Sequence, residues 1–145
     1  MVHALHEAQR VLKPDGVLID LRPMAVHRRV GIARAGVIQP VGSMREKFDD
    51  DLAADRAVAQ VLREGLFKIE KRLEFNCNRT MDSYNEFEDW LNEFAFLGNM
   101  PPHDWLLEKV KRALAKKTGK YKMVAGGPLK IQVLRKQAVR QVIND

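Results

Sequence analysis

Leu12-Lys13-Pro14-Asp15-Gly16 separates two stretches of opposite periodicity, and few folds accommodate such a junction. Before it, Leu5, Ala8, Val11 and Leu12 recur at three- and four-residue steps, which predicts an amphipathic helix over Val2 to Lys13. Pro14 cannot continue that helix, and Asp15-Gly16 supplies a turn. Val17-Leu18-Ile19-Asp20-Leu21 follows, a short run apolar on both faces and rich in branched residues. It predicts a buried strand, most naturally in a parallel sheet. A helix feeding through a tight turn into a buried strand is the repeating unit of α/β folds.

The remaining elements fit that class. Val30-Gly31-Ile32-Ala33 and Val37-Ile38-Gln39 flank Arg34-Ala35-Gly36 as a hairpin. Asp49-Asp50-Asp51 offers capping and negative charge to a helix running to about Glu64, with Leu52, Ala54, Val58, Val61 and Leu62 inward and Gly65 closing it. From Phe67 to Cys77 the chain alternates: Phe67, Ile69, Leu73, Phe75 and Cys77 share one face, Lys68, Glu70, Arg72, Glu74 and Asn76 the other, and Lys71 interrupts the apolar side. A half-buried strand is expected there, with Cys77 a small buried hydrophobe. Asp82-Ser83 caps a helix bearing Tyr84, Phe87, Trp90, Leu91 and Phe94, and Trp105, Leu106, Val110 and Leu114 line another that ends by Gly119. Tyr121 to Ala125 and Leu129 to Leu134 read as strand pieces separated at Gly126-Gly127-Pro128, and Gln137 to Ile143 is a candidate short helix. One α/β domain over residues 1–145 is the expected organisation, with a short mixed sheet of strands near 17–21, 67–77 and 121–134 and flanking helices. The helices near 3–13 and 51–64 are expected on one face.

The stretch Glu7-Ala8-Gln9-Arg10-Val11-Leu12-Lys13-Pro14-Asp15-Gly16, followed by its apolar strand, resembles the helix and fifth strand of class I S-adenosylmethionine-dependent methyltransferases, where the pattern reads E-x-x-R-V-L-K-P-G-G. Asp15 stands where that family more often has glycine, a position at which aspartate tolerates turn geometry. The resemblance implies a partial Rossmann-like methyltransferase fold, its C-terminal half, with the last strand inserted antiparallel between the other two. It also implies that the family's cofactor site, a glycine-rich turn after the first strand and an acidic residue ending the second, has no counterpart in this sequence. Gly31-Ile32-Ala33-Arg34-Ala35-Gly36 lacks the spacing of a dinucleotide turn and the Lys-Ser/Thr of a phosphate loop. No catalytic or S-adenosylmethionine-binding residue can therefore be assigned.

Since α/β sheets gather ligands at the carboxyl ends of their strands, Asp20, Arg22, Arg28 and Arg29 are the candidate remnant of a substrate or anion site; the alternative is that Asp20 pairs with a neighbouring arginine for structural reasons. His3, His6 and Glu7 share a helix side but lack the third or fourth defined ligand a metal needs, so no metal is assigned. The net charge of +6 is uneven: Asp104 to Asp145 hold 11 Lys/Arg against 3 acids, while residues 1–103 hold 14 against 16. A helix with cations toward its C-terminal end accounts for much of that balance, so nucleic acid is not an expected partner. No apolar run approaches the ~20 residues of a membrane helix, the N-terminus lacks the basic-then-apolar order of a secretion signal, and one cysteine excludes intrachain disulfides. A cytoplasmic location follows as the expectation. Loss of the neighbouring strand would leave the 17–21 edge open, and open apolar edges invite pairing. The expected function is a catalytically inactive, methyltransferase-derived module that homodimerises through the edge of strand 17–21; the alternative is one half of a methyltransferase, active only with a separate cofactor-binding chain.

Overall fold

The computed structural model describes residues 1–138. The expected helix at Gln137–Ile143 lies mostly outside them. The elements are α1 (Val2–Val11), β1 (Val17–Pro23), β2 (Arg29–Arg34), β3 (Val37–Ser43), α2 (Asp49–Arg63), β4 (Phe67–Met81), α3 (Tyr84–Leu97), α4 (Asp104–Ala115) and β5 (Lys122–Lys136). The α/β class holds: five strands form one sheet in which β1, β5, β2 and β3 are successive neighbours and β4 also pairs with β5. The three registered ladders are antiparallel, so the parallel pairing expected for strand 17–21 is absent among the described residues. By contacts the described residues divide into two compact units: Met1–Ala25 with Phe48–Phe75 and residues 129–138, and Val26–Lys47 with Asn76–Pro128.

In the first unit, the turn at the α1–β1 junction works as the sequence predicts. Asp15 takes a left-handed backbone (φ 58°), and Gly16 closes on the Lys13 carbonyl with a 2.9 Å hydrogen bond. β1 then runs antiparallel to β5, from Val17 opposite Arg135 to Pro23 opposite Leu129. Facing residues of a ladder share a side, so Leu18, Asp20 and Arg22 lie with Leu134, Gln132 and Lys130, while Val17, Ile19 and Leu21 lie with Arg135, Val133 and Ile131. Only the first side is covered. There α1 and α2 bring Val2, Leu5, Val58, Val61 and Leu62 onto Leu18, Phe67 and Leu134, as the helices near 3–13 and 51–64 were expected to do. On the second side Ile19 is 60% and Leu21 54% exposed. The two-sided burial expected of strand 17–21 is therefore wrong, because helices pack on one face alone. Leu52, expected inward on α2, is also exposed.

β5 pairs with both β1 and β4, the placement expected of the last strand. β4 itself is the larger surprise. Phe67 and Met81 are buried at its ends and every residue between is exposed, Cys77 included. The alternation is real, but no element covers the apolar face over most of its length, so neither the half-buried strand nor the buried cysteine holds.

In the second unit, the predicted hairpin forms between β2 and β3, with Ala35 (φ 48°) and Gly36 (φ 78°) both left-handed in its two-residue turn. Ser83 caps α3, its hydroxyl accepting the Glu86 amide at 3.1 Å. Phe87 and Leu91 of α3 and Leu106, Leu107 and Val110 of α4 bury against Val30, Ile32, Met44, Met81 and Met123. The expected break at Gly126-Gly127-Pro128 is absent: β5 continues through it. Gly126 is required there because a Cβ would fall 2.1 Å from Asn78 Oδ1 and 2.4 Å from the Cys77 carbonyl oxygen on β4.

Candidate functional site

Asp20 and Arg22, two residues apart on β1, point to the helix-covered side and meet, as their spacing allows. Arg22 Nε donates to Asp20 Oδ1 at 2.6 Å and Nη2 to Oδ2 at 2.9 Å, the two-pronged grip that suits a guanidinium to a carboxylate. Gln132 Nε2 adds a third donor to Asp20 Oδ2 at 3.1 Å. The remaining Arg22 nitrogen, Nη1, donates to Asp55 Oδ1 of α2 at 2.9 Å, and Lys130 Nζ of β5 donates to the same oxygen. Lys130 and Gln132 are 7% and 4% exposed. Two carboxylates and two cations thus balance in a partly buried cluster under α2, open to water on the Asp55 side.

The electrostatics follow from that pairing. The hydrogen bond to Asp20 chiefly raises the Arg22 pKa above its ordinary value, against a desolvation cost. Burial by itself would push the Asp55 carboxyl up, but the hydrogen bonds from Lys130 and Arg22 outweigh it and hold the group below the usual carboxylate range. Both shifts favour the charged forms of Arg22 and Asp55. The cluster ties α2 to β1 and β5, with each carboxylate facing a cation.

Arg28 and Arg29 stand apart from it in the second unit. Arg28 is committed: its guanidinium is ion-paired with Glu46, its backbone amide donates to Glu46 Oε2 at 2.6 Å, and the guanidinium carbon sits 4.8 Å from the centre of the Phe94 ring. Arg29 is exposed and makes no ion pair or side-chain hydrogen bond among the described residues. It lines an open cleft of about 480 Å³ floored by Val30, Ile38 and Val124, with Asn76 and Asn78 on its rim. Of the four candidates, then, two join a closed network, one is locked to a glutamate, and one faces a cleft.

Several residues take roles that the sequence left unassigned. His6 Nε2 lies 2.7 Å from Glu64 Oε2, and Glu7 is taken by Arg10 Nε at 2.9 Å. No group of three or more metal-ligating side chains gathers among the described residues. His103 is 2% exposed; its Nε2 accepts the Arg45 amide at 3.0 Å, and its Nδ1 is buried without a partner among the described residues. Asp55 and Lys130 were missed because they join Asp20 and Arg22 only through the tertiary fold. Among the described residues no helix is long and apolar enough to cross a membrane.

Comparison with protein-family models, with curated proteins and with solved structures finds no match to this chain.

Proposed function

We propose that this chain is a methyltransferase-derived interaction module, carrying the C-terminal half of a Rossmann-like S-adenosylmethionine-dependent fold, without catalytic activity by itself, and working as a homodimer joined at an open sheet edge. Three observations support this reading. The Leu-Lys-Pro-Asp-Gly junction leads into β1 as in that family, and β5 pairs with both β1 and β4. The cluster at the end of β1 is internally neutralised, so it offers no reactive group. The observation that carries the proposal is that β1 pairs with β5 alone among the described residues while exposing Val17, Ile19 and Leu21 on a bare face. An apolar, one-sided edge strand is the kind of surface that monomers conceal and assemblies use.

The neighbouring position on β1 is where the resemblance would put the fourth strand of a cofactor-binding half, so a second reading is that a separate methyltransferase chain occupies it. Two measurements decide. Sedimentation velocity at 10–100 µM should give a dimer, and a monomer throughout that range refutes the homodimer. Calorimetry with S-adenosylmethionine on the isolated chain should give no heat; micromolar binding would overturn the inactive reading.

A further inference from the structure

Two strand edges are open in the first unit among the described residues, those of β1 and β4, because each pairs only with β5. We infer that two copies of this chain pair antiparallel along β4, with a two-fold axis at Lys71 that sets Phe67 opposite Phe75 of the second copy, Lys68 opposite Glu74, Ile69 opposite Leu73 and Glu70 opposite Arg72. This rests on the homodimer of the reading above, but it moves the contact from the open edge of β1 to that of β4 and specifies the register.

The argument is the symmetry of Phe67-Lys68-Ile69-Glu70-Lys71-Arg72-Leu73-Glu74-Phe75. One side of the strand reads Phe, Ile, Lys, Leu, Phe, which has the same character in both directions. The other reads Lys, Glu, Arg, Glu, a sequence of alternating sign that becomes its own complement when reversed. Antiparallel pairing about a two-fold reverses one copy against the other, so it brings apolar side chains opposite apolar ones and matches all eight charges as four cross-strand pairs. Opposed residues of an antiparallel pair lie on one face, so only registers centred on a residue keep the two apolar sides together. Centring on Glu70, Arg72 or Glu74 sets glutamates opposite glutamates or leaves like charges on the axis. Centring on Leu73 retains only the Arg72–Glu74 pairs. The Lys71 register has a single like-charge pair, the two Lys71 ammonium groups on the axis, whose long stems let them diverge.

β4 is also the better edge. It is fifteen residues long and, from Lys68 to Thr80, wholly exposed. β1 is seven residues long, ends in Pro23, which has no amide to donate, and holds Asp20 and Arg22 turned into the ion cluster. Within one chain, Arg135 grips Glu70 at 2.7 and 2.9 Å and Arg72 reaches Glu74 at 2.6 Å, so the charged side of β4 is already ordered for a second strand.

The test combines sedimentation with directed cross-linking. In a Cys77→Ser background, Lys71→Cys places two thiols on the axis at the ~4.5–5.5 Å Cα separation of facing strand residues, within reach of a disulfide, whereas Leu73→Cys faces isoleucine. With oxidised glutathione as the oxidant, the Lys71→Cys protein should run as a covalent dimer on non-reducing gels and the Leu73→Cys protein should not. Glu74→Lys should weaken the dimer about tenfold, by opposing two ammonium groups twice over, and adding Lys68→Glu should restore it. If the wild type is dimeric yet Lys71→Cys does not cross-link, or Leu73→Cys cross-links instead, the β4 register is overturned while the homodimer stands. A wild-type monomer overturns both.

Discussion

Asp55→Asn tests whether the cluster under α2 is held by charge. Asparagine keeps the size of the side chain and an oxygen that can accept a hydrogen bond, so the substitution mainly removes the charge. Among the described residues Asp55 is the only carboxylate ion-paired with Lys130, and it is the second partner of Arg22, which retains Asp20. Removing one member of a fully buried ion pair costs about 3–5 kcal/mol, because the partner is left charged and dry. An exposed pair is worth about 0–1 kcal/mol. The Lys130 side chain is 9% exposed and that of Asp55 38%, so water reaches one side of the pair, and a loss of about 2 kcal/mol is expected. Lys130→Met behaves differently: it removes the cation together with its desolvation, fills the same space, and leaves Asp55 with Arg22. It should change stability by no more than about 1 kcal/mol in either direction.

The assay is urea unfolding followed by far-ultraviolet circular dichroism, since Trp90 and Trp105 both belong to the other unit and their fluorescence does not report on this one. With a slope of about 2 kcal/mol/M, Asp55→Asn should lower the midpoint by about 1 M and Lys130→Met by less than half of that. The pH dependence supplies a second check. The folded Asp55 carboxyl lies below its unfolded value, so its contribution is present above the unfolded pKa and is lost as pH falls through the depressed folded one. The gap between wild type and Asp55→Asn should therefore be constant from pH 5 to 8 and close only below about pH 4. An Asp55→Asn cost no larger than that of Lys130→Met, or a gap that closes near neutrality, refutes the account.

Two further substitutions probe the second unit. Ser83→Ala removes the hydroxyl that accepts the Glu86 amide at the start of α3 and should cost about 1 kcal/mol by urea unfolding followed through Trp90 fluorescence; a change below about 0.3 kcal/mol would show that the cap is idle. Gly126→Ala sets a methyl group 2.1 Å from Asn78 Oδ1 and 2.4 Å from a backbone oxygen that cannot swing away, so β4 and β5 must separate locally. A loss of about 2 kcal/mol or more is expected in the same assay, with faster amide exchange at Val124 and Ala125, and a neutral substitution would contradict the packing.

How far the sequence carries depends on whether a feature is local. The α1–β1 junction was legible because Pro14 and the Asp15-Gly16 turn act within a few residues, and the β2–β3 hairpin because Ala35-Gly36 occupies the two left-handed positions of a tight turn. The alternation of β4 was equally plain. What alternation reports is which residues share a face, and not whether anything packs on that face, so the exposure of Ile69, Leu73, Phe75 and Cys77 could not be read from it. At Gly126-Gly127-Pro128 the usual meaning of the residues misled, because Gly126 serves a close approach to Asn78 from a strand nearly fifty residues earlier. Asp20 and Arg22 were visible as a pair on one strand, whereas Asp55 meets Arg22 across 33 residues of sequence and Lys130 meets Asp55 across 75.

The distribution of charge bears on what kind of function to seek. Where Asp20, Arg22, Asp55 and Lys130 meet, every charge has its opposite within hydrogen-bond reach. Along β4 an exposed alternating row of charge lies beside apolar residues, with Glu70 paired to Arg135 and Arg72 to Glu74 within the chain, on an edge without a partner strand among the described residues. A strand kept soluble merely by charge would be served by lysines alone, the usual guard on an exposed edge. Alternating signs do the reverse: they leave the edge nearly neutral over Lys68 to Glu74 and attractive to its own reversed copy. Only Lys71 opposes that pairing, and replacing Lys71 with leucine should therefore tighten the dimer where added charge at the same position would weaken it.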